Sequence, residues 1–227
     1  MKLELAIILV AGVLLAQTPD GSAQPFGLKG DVLGETLQEF RTRNDRVYVP
    51  NKRDPLYKFS LVRGPQHFPK CTGDGSIETA PLALKRRTEE QNRAQVIQCV
   101  LAEAGEPQTV AGISAFEIVY SFFQGRLYLI TAKLDWTGYD QVREALISKY
   151  GKPEIGSATY QNKYGAVMDG EELTWNNSVS AINLGQFDGG KNPLAPSRND
   201  ALLLILHSEL NKQFKAAGTA KGAAKDL

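Results

Sequence analysis

Two β-rich runs, AFEIVYSFF (115–123) and RLYLITAKL (126–134), flank the dipeptide Gln124-Gly125, and this arrangement restricts the fold more than any other feature of the chain. A two-residue link ending in glycine between β-branched and aromatic runs is the signature of a tight antiparallel hairpin. Because side chains alternate along a strand, Phe116, Ile118, Tyr120 and Phe122 are expected on one face, with Tyr128, Ile130, Ala132 and Leu134 beside them on the partner. An apolar sheet face of that size must be covered.

Cover is available from two helices. Thr36-Leu37-Gln38-Glu39 reads as a capping box opening a helix over 36–43, with Leu33, Leu37 and Phe40 on one stripe. A second helix is predicted over 138–150, with Thr137 as N-cap, Tyr139, Val142, Leu146 and Tyr150 at helical spacing, and Gly151 and Pro153 as its stop. Strands follow at 158–164, 171–175, 179–184 and 201–207, and the last of these, ALLLILH, is apolar on both faces and so belongs in mid-sheet. The expected fold is α+β: an antiparallel sheet with helices packed on one face, built as a helix followed by a meander, twice over.

Elsewhere the pattern is weaker. FGLKG (26–30) reads as a short extended stretch, and residues 44–92, with the basic run Lys85-Arg86-Arg87, read as long loops. The segment 88–104 fits a helix or a strand carrying Cys99. A Gly, Asn and Pro loop is expected over 185–200, and an Ala/Gly/Lys-rich flexible tail over 209–227.

The chain opens with Lys2, an apolar run from Leu5 to Ala16, a polar stretch with Pro19, and small residues Gly21 and Ala23 placed at −3 and −1 of a cleavage site. This is the order of a secretory signal peptide over 1–23, with Gln24 as the new terminus, and the apolar run is shorter than the roughly 20 residues a bilayer requires. A single domain is then expected over 24–208, in a periplasmic or secreted protein without a transmembrane segment. The formal net charge is +1, and loss of the leader leaves it near +2, too little for the basic face a nucleic-acid partner selects.

Export changes the reading of Cys71 and Cys99, the only two cysteines, 28 positions apart. In an oxidising compartment they pair, and closing such a loop restricts the unfolded chain by roughly 3 to 4 kcal/mol. Metal binding is the competing use, but the spacing lacks a CxxC pair and the two histidines, His67 and His207, are far apart in sequence.

No catalytic, cofactor or metal motif emerges. His67 lies in a proline-flanked loop and His207 ends a strand. Ser178, Ser180 and Ser208 lack a nucleophile elbow. Glu171 and Glu172 are adjacent, which in a strand sends them to opposite faces, and Asp169-Gly170 reads as a turn. Asp188-Gly189-Gly190 lacks the alternating ligands of a calcium loop. Asn176-Asn177-Ser178 matches a glycosylation sequon by a short pattern. Lys212, Lys215, Lys221 and Lys225 form a dispersed basic tail. Trp136 and Trp175 border strands and are the candidate binding surface, core or edge packing being the alternative.

Leu33-Gly34-Glu35-Thr36-Leu37 at a helix entry, FFQGRL at a hairpin and Tyr150-Gly151-Lys152-Pro153 at a helix exit give the chain a pattern that resembles exported bacterial domains with the β-lactamase-inhibitor-protein fold and the outer-membrane assembly lipoproteins. The lipidated cysteine of the lipoproteins has no counterpart at the leader exit. The resemblance implies a binding module and does not identify its target; for an exported chain, an envelope protein or a cell-wall component is the expected partner. A periplasmic or secreted hydrolase, its site assembled only in three dimensions, is the alternative.

Overall fold

The computed structural model describes residues 23–48, 66–72, 91, 94–101, 108–161, 167–186 and 200–223. The leader through 22, the basic run at 85–87, the Asp188-Gly189-Gly190 loop and Lys225 lie outside the described residues.

In chain order the first half contains β1 (Gly27–Leu28), β2 (Asp31–Val32), α1 (Leu37–Asn44), β3 (Arg46–Tyr48), β4 (Gln66–Phe68), β5 (Lys70–Cys71), β6 (Ile97–Val100) and β7 (Thr109–Val110). Then come β8 (Ile113–Phe123), β9 (Arg126–Asp135), a 3₁₀ turn (Trp136–Gly138), α2 (Tyr139–Tyr150), β10 (Glu154–Gln161), β11 (Val167–Asn176), β12 (Ser180–Gly185), β13 (Asp200–His207) and α3 (Ser208–Ala223). The main sheet is antiparallel, in the order β10-β11-β12-β13-β9-β8-β6-β5, with β7 paired to the start of β8. The four-strand meander after α2 thus returns through β13 to pair with β9, which joins it to the first hairpin. β13 lies in mid-sheet, as its two-sided apolar character requires.

The β8–β9 turn forms at Gln124 and Gly125 with φ of 51° and 75°, the doubly positive backbone that matches the twist of the strands it joins. Two irregularities correct the expected face assignment. Ala115 pairs with Leu134 and Glu117 with Lys133, so Phe116 is an extra residue, and Ser121 pairs with Leu129 and Phe122 with Leu127, so Tyr128 is another. A bulge adds one residue to one strand and shifts the alternation beyond it. Ile118, Tyr120 and Phe122 therefore join Ile130, Ala132 and Leu134 in the main core, whereas Phe116 turns outward and Tyr128 enters a second cluster.

Helix α1 opens with the capping box complete, Thr36 accepting from Glu39 N and Glu39 accepting from Thr36 N. It inserts Phe40 against Tyr120 and Phe122, ring centroids 4.7 and 5.2 Å away. On α2, Tyr139 and Val142 are buried in the same core, and Leu146 and Tyr150 pack against it. Thr137 is not the cap of α2: the 3₁₀ turn intervenes, with Asp135 as its cap.

Cys99 stands on a strand, β6, so the strand reading holds for Ile97–Val100 within the open 88–104 segment, and its partner across the β5–β6 ladder is Cys71, to which it is disulfide-bonded. The expected 171–175 strand runs as β11 from Val167, so Asp169-Gly170 is strand and not turn, Gly170 pairing with Ala158.

The tail expectation is also corrected. Ser208–Ala223 is a helix, and Leu210 and Phe214, one turn apart, pack on Val96, Phe123 and Tyr128. Phe122 and Ile130 point into the main core while their neighbours Phe123 and Leu129 meet α3, so α3 covers part of the opposite face. Among the described residues no helix is long and apolar enough to cross a membrane.

Candidate functional site

The two tryptophans divide. Trp175 follows Leu173 by two on β11, which gives it the same inward face; it is 4% exposed and its indole N–H donates to the Gly151 carbonyl at 2.7 Å. It is a core residue and leaves the candidate surface. Trp136 is 52% exposed. The Asp135 carboxylate accepts from the Thr137 N–H at 3.0 Å and from its hydroxyl at 2.8 Å, which folds the chain out of β9 into the turn that carries Trp136. The turn is seated from below, since a Cβ on Gly138 would overlap the Ile113 side chain. Phe116, exposed by its bulge, belongs to the same end of the β8–β9 ladder, next to the Ala115–Leu134 pair. An exposed indole after β9, with a second exposed aromatic near the same end of β8, offers apolar contact area with one N–H donor. Phe116 was expected on the core face of the hairpin and not at a surface, because only the bulge turns it outward.

The serines and histidines serve the frame. Ser180 is fully buried; its Oγ accepts from Phe26 N at 2.9 Å and donates to Asn177 Oδ1 at 3.1 Å. Asn177 Oδ1 also accepts from the N–H groups of Val179 and Ser180, and its amide donates to Gln24 O at 3.1 Å. The β11–β12 turn thereby holds the segment that starts at Gln24. Ser178 is exposed in that turn, and Asn176 of the sequon ends β11 opposite Ala181. His67 stands on β4 across from Val47, and its side chain lies outside the described residues. Glu171 and Glu172 separate as expected: Glu171 accepts from the Tyr139 hydroxyl at 2.9 Å and lies 3.6 Å from Arg143 Nε, while Glu172 is exposed on the other face. Burial, then the Glu171 carboxylate, pushes the Tyr139 hydroxyl pKa up.

His207 precedes α3, and its Nδ1 accepts from Leu210 N at 3.4 Å. Burial lowers its pKa below the ordinary value, Arg126 acting in the same direction and Glu209 against it. Only neutral imidazole can accept this bond, and a positive ring at a helix N-terminus opposes the dipole. The contribution to stability is therefore present above the unfolded pKa of about 6.5 and is lost as pH falls through the lower folded pKa. His207→Asn, which caps without titrating, should abolish this increment, worth at most about 1 kcal/mol. Thermal melts of both proteins across that pH range provide the check: parallel curves mean that His207 is not the titrating group.

A buried polar cluster was missed altogether. Asp31, 2% exposed, accepts from Arg43 Nε at 3.1 Å and Nη2 at 2.6 Å and from Asn44 Nδ2 at 3.0 Å. Glu35 accepts from the same Arg43 nitrogen, Nη2, and its second oxygen is buried. The Tyr120 hydroxyl is buried in the core beside Asp31, its pKa pushed up by burial and by the nearby Asp31 carboxylate. Burial also raises the Glu35 pKa, opposed by Arg43. No sequence spacing pairs residue 31 with 43; the β1–β2 hairpin and α1 bring them together. Among the described residues no group of three or more His, Cys, Asp or Glu side chains is placed to hold a metal ion.

The disulfide is in keeping with an oxidising, extracytoplasmic location. No protein-family model, curated protein or solved structure matches this chain.

Proposed function

We propose that the chain is an exported binding module, acting in the periplasm or outside the cell, that engages an envelope protein or cell-wall component through the aromatic end of the β8–β9 ladder. The observation that carries this reading is the exposure of Trp136 on a turn held by Asp135 and seated on Ile113. Keeping an indole half in water on a rigid support costs solvation free energy that a partner's surface would recover, and such anchors dominate interface energetics. Export is supported by the leader pattern, by the Cys71–Cys99 bond, and by Gln24, the residue cleavage would leave first, being already tied to Asn177.

The test is affinity capture from an envelope extract on immobilised protein, run in parallel with Trp136→Ala. A partner retained by the parent and weakened about tenfold or more by the variant is the expected result, the loss typical of an aromatic hot spot. Equal retention by both, or none by either, would remove Trp136 as the anchor. Intrinsic fluorescence sharpens the assignment, because Trp136 and Trp175 are the only tryptophans. The emission shift on binding should vanish in Trp136→Phe, which leaves the buried Trp175 alone.

A further inference from the structure

We propose that β10 is a self-association edge, through which two copies of this chain pair their sheets antiparallel about a twofold axis. The argument begins with what the two ends of the main sheet present. At one end β5 has only two residues, one of them Lys70. At the other end β10 runs eight residues, pairs with β11 over its whole length without a register shift, and has no strand on its outer side among the described residues. Half of the N–H and C=O groups of such a strand point away from its neighbour and are ready to pair with another chain.

Beyond Glu154 at its start, the usual protections of an open edge are missing from β10. From Ile155 to Gln161 it contains no charge, no proline and no bulge. Its side chains from Glu154 to Ser157 are exposed, and Ile155, a β-branched apolar residue, is 60% exposed. Gly156, Ser157 and Ala158 keep the middle of the strand slim, which permits close backbone approach.

Symmetry then selects the occupant and the register. An antiparallel pair of identical edges puts the dyad perpendicular to the sheet, so both copies keep the same face upward and only positions of equal parity can oppose one another. With the dyad at Ser157, the middle of the strand, Ser157 faces its own copy, Ile155 faces Thr159 of the second copy, and Gly156 faces Ala158. No like charges meet, and the Ile155–Thr159 pairs are cross-strand contacts of two β-branched side chains, made twice. The strand is thus complementary to itself, which an unrelated partner strand would match only by chance. This edge lies four strands from β9 and does not involve Trp136, so it stands or falls apart from the aromatic surface.

Light scattering behind size exclusion, on the purified chain from micromolar to near-millimolar concentration, should show the mass rising from monomer to dimer. Ile155→Lys places two charges across the dyad region and should weaken the dimer about tenfold or more, while Trp136→Ala leaves it unchanged. Ser157→Cys gives a second readout: residues directly opposed have Cβ atoms about 4.5 to 5.5 Å apart, close enough to cross-link after small adjustment, and mild oxidation should yield a covalent dimer. A cysteine at exposed Lys212 should not. A monomer at every concentration with no cross-link through position 157 overturns the proposal. So does a dimer that Ile155→Lys leaves intact and Ser157→Cys fails to trap, including one held by another surface.

Discussion

Replacing both Cys71 and Cys99 by alanine should lower the unfolding free energy by about 3.5 kcal/mol, the chain-entropy cost of leaving a 28-residue loop open in the unfolded state. For a chain of this length that corresponds to a fall in midpoint temperature of roughly 10 °C. The mechanism predicts a diagnostic companion: the effect acts through the unfolded ensemble, so the folded sheet, with β6 still paired to β8, should keep its circular dichroism spectrum. Urea denaturation of the parent and the double variant measures the difference, and equal midpoints would show that the bond contributes nothing beyond its packing. Reductant added to the folded protein should act slowly, since both cysteines are fully buried and the bond is reached only after local opening. Synthesis in a reducing compartment should yield a protein with the stability of the alanine variant.

What the sequence disclosed divides along physical lines. The Gln124-Gly125 hairpin, the Thr36 capping box and the helix stop at Gly151 were legible because each depends on residues a few positions apart, whose backbone preferences act locally. The bulges at Phe116 and Tyr128 were not, because a bulge is a property of two strands in register, and alternation within one strand predicts the opposite face. Helix α3 was hidden by composition: Ala, Gly and Lys dilute its apolar stripe, and the only signal was Leu210 and Phe214 at i and i+4. Trp175 could have been placed by its two-residue offset from Leu173, whereas the exposure of Trp136 depends on how Asp135 breaks the strand. β10 was visible as a strand only from Ala158 onward, and not as an edge, since strand order is set by long-range pairing.

Asp31→Ala should cost about 2 to 3 kcal/mol, less than the 3 to 5 typical of breaking a fully buried ion pair, because the Arg43 side chain is 40% exposed and can rehydrate. The loss follows from the count of hydrogen bonds: Asp31 Oδ1 alone receives three, two from Arg43 and one from Asn44, so truncation leaves the end of α1 without its tie to β2. Asp31→Asn, which keeps an acceptor but not the charge, should lose about half as much. The variant also alters titration. The Glu35 pKa is raised by burial first, and the like charge of Asp31 pushes the same way. A carboxyl whose folded pKa exceeds its unfolded one gives stability that is complete below the unfolded value, about 4.5, and is lost as pH rises through the folded value. Removing Asp31 moves the Glu35 pKa down and should flatten that decline, and Glu35→Gln should remove it while leaving the Asp31–Arg43 pair in place. Denaturant midpoints of the three variants across pH 4 to 7 decide the matter. If Asp31→Ala retains the parent's stability at neutral pH, the ion pair contributes nothing net and α1 is held to the sheet by Phe40, Leu37 and the Leu37 N–H bond to the Gly125 carbonyl.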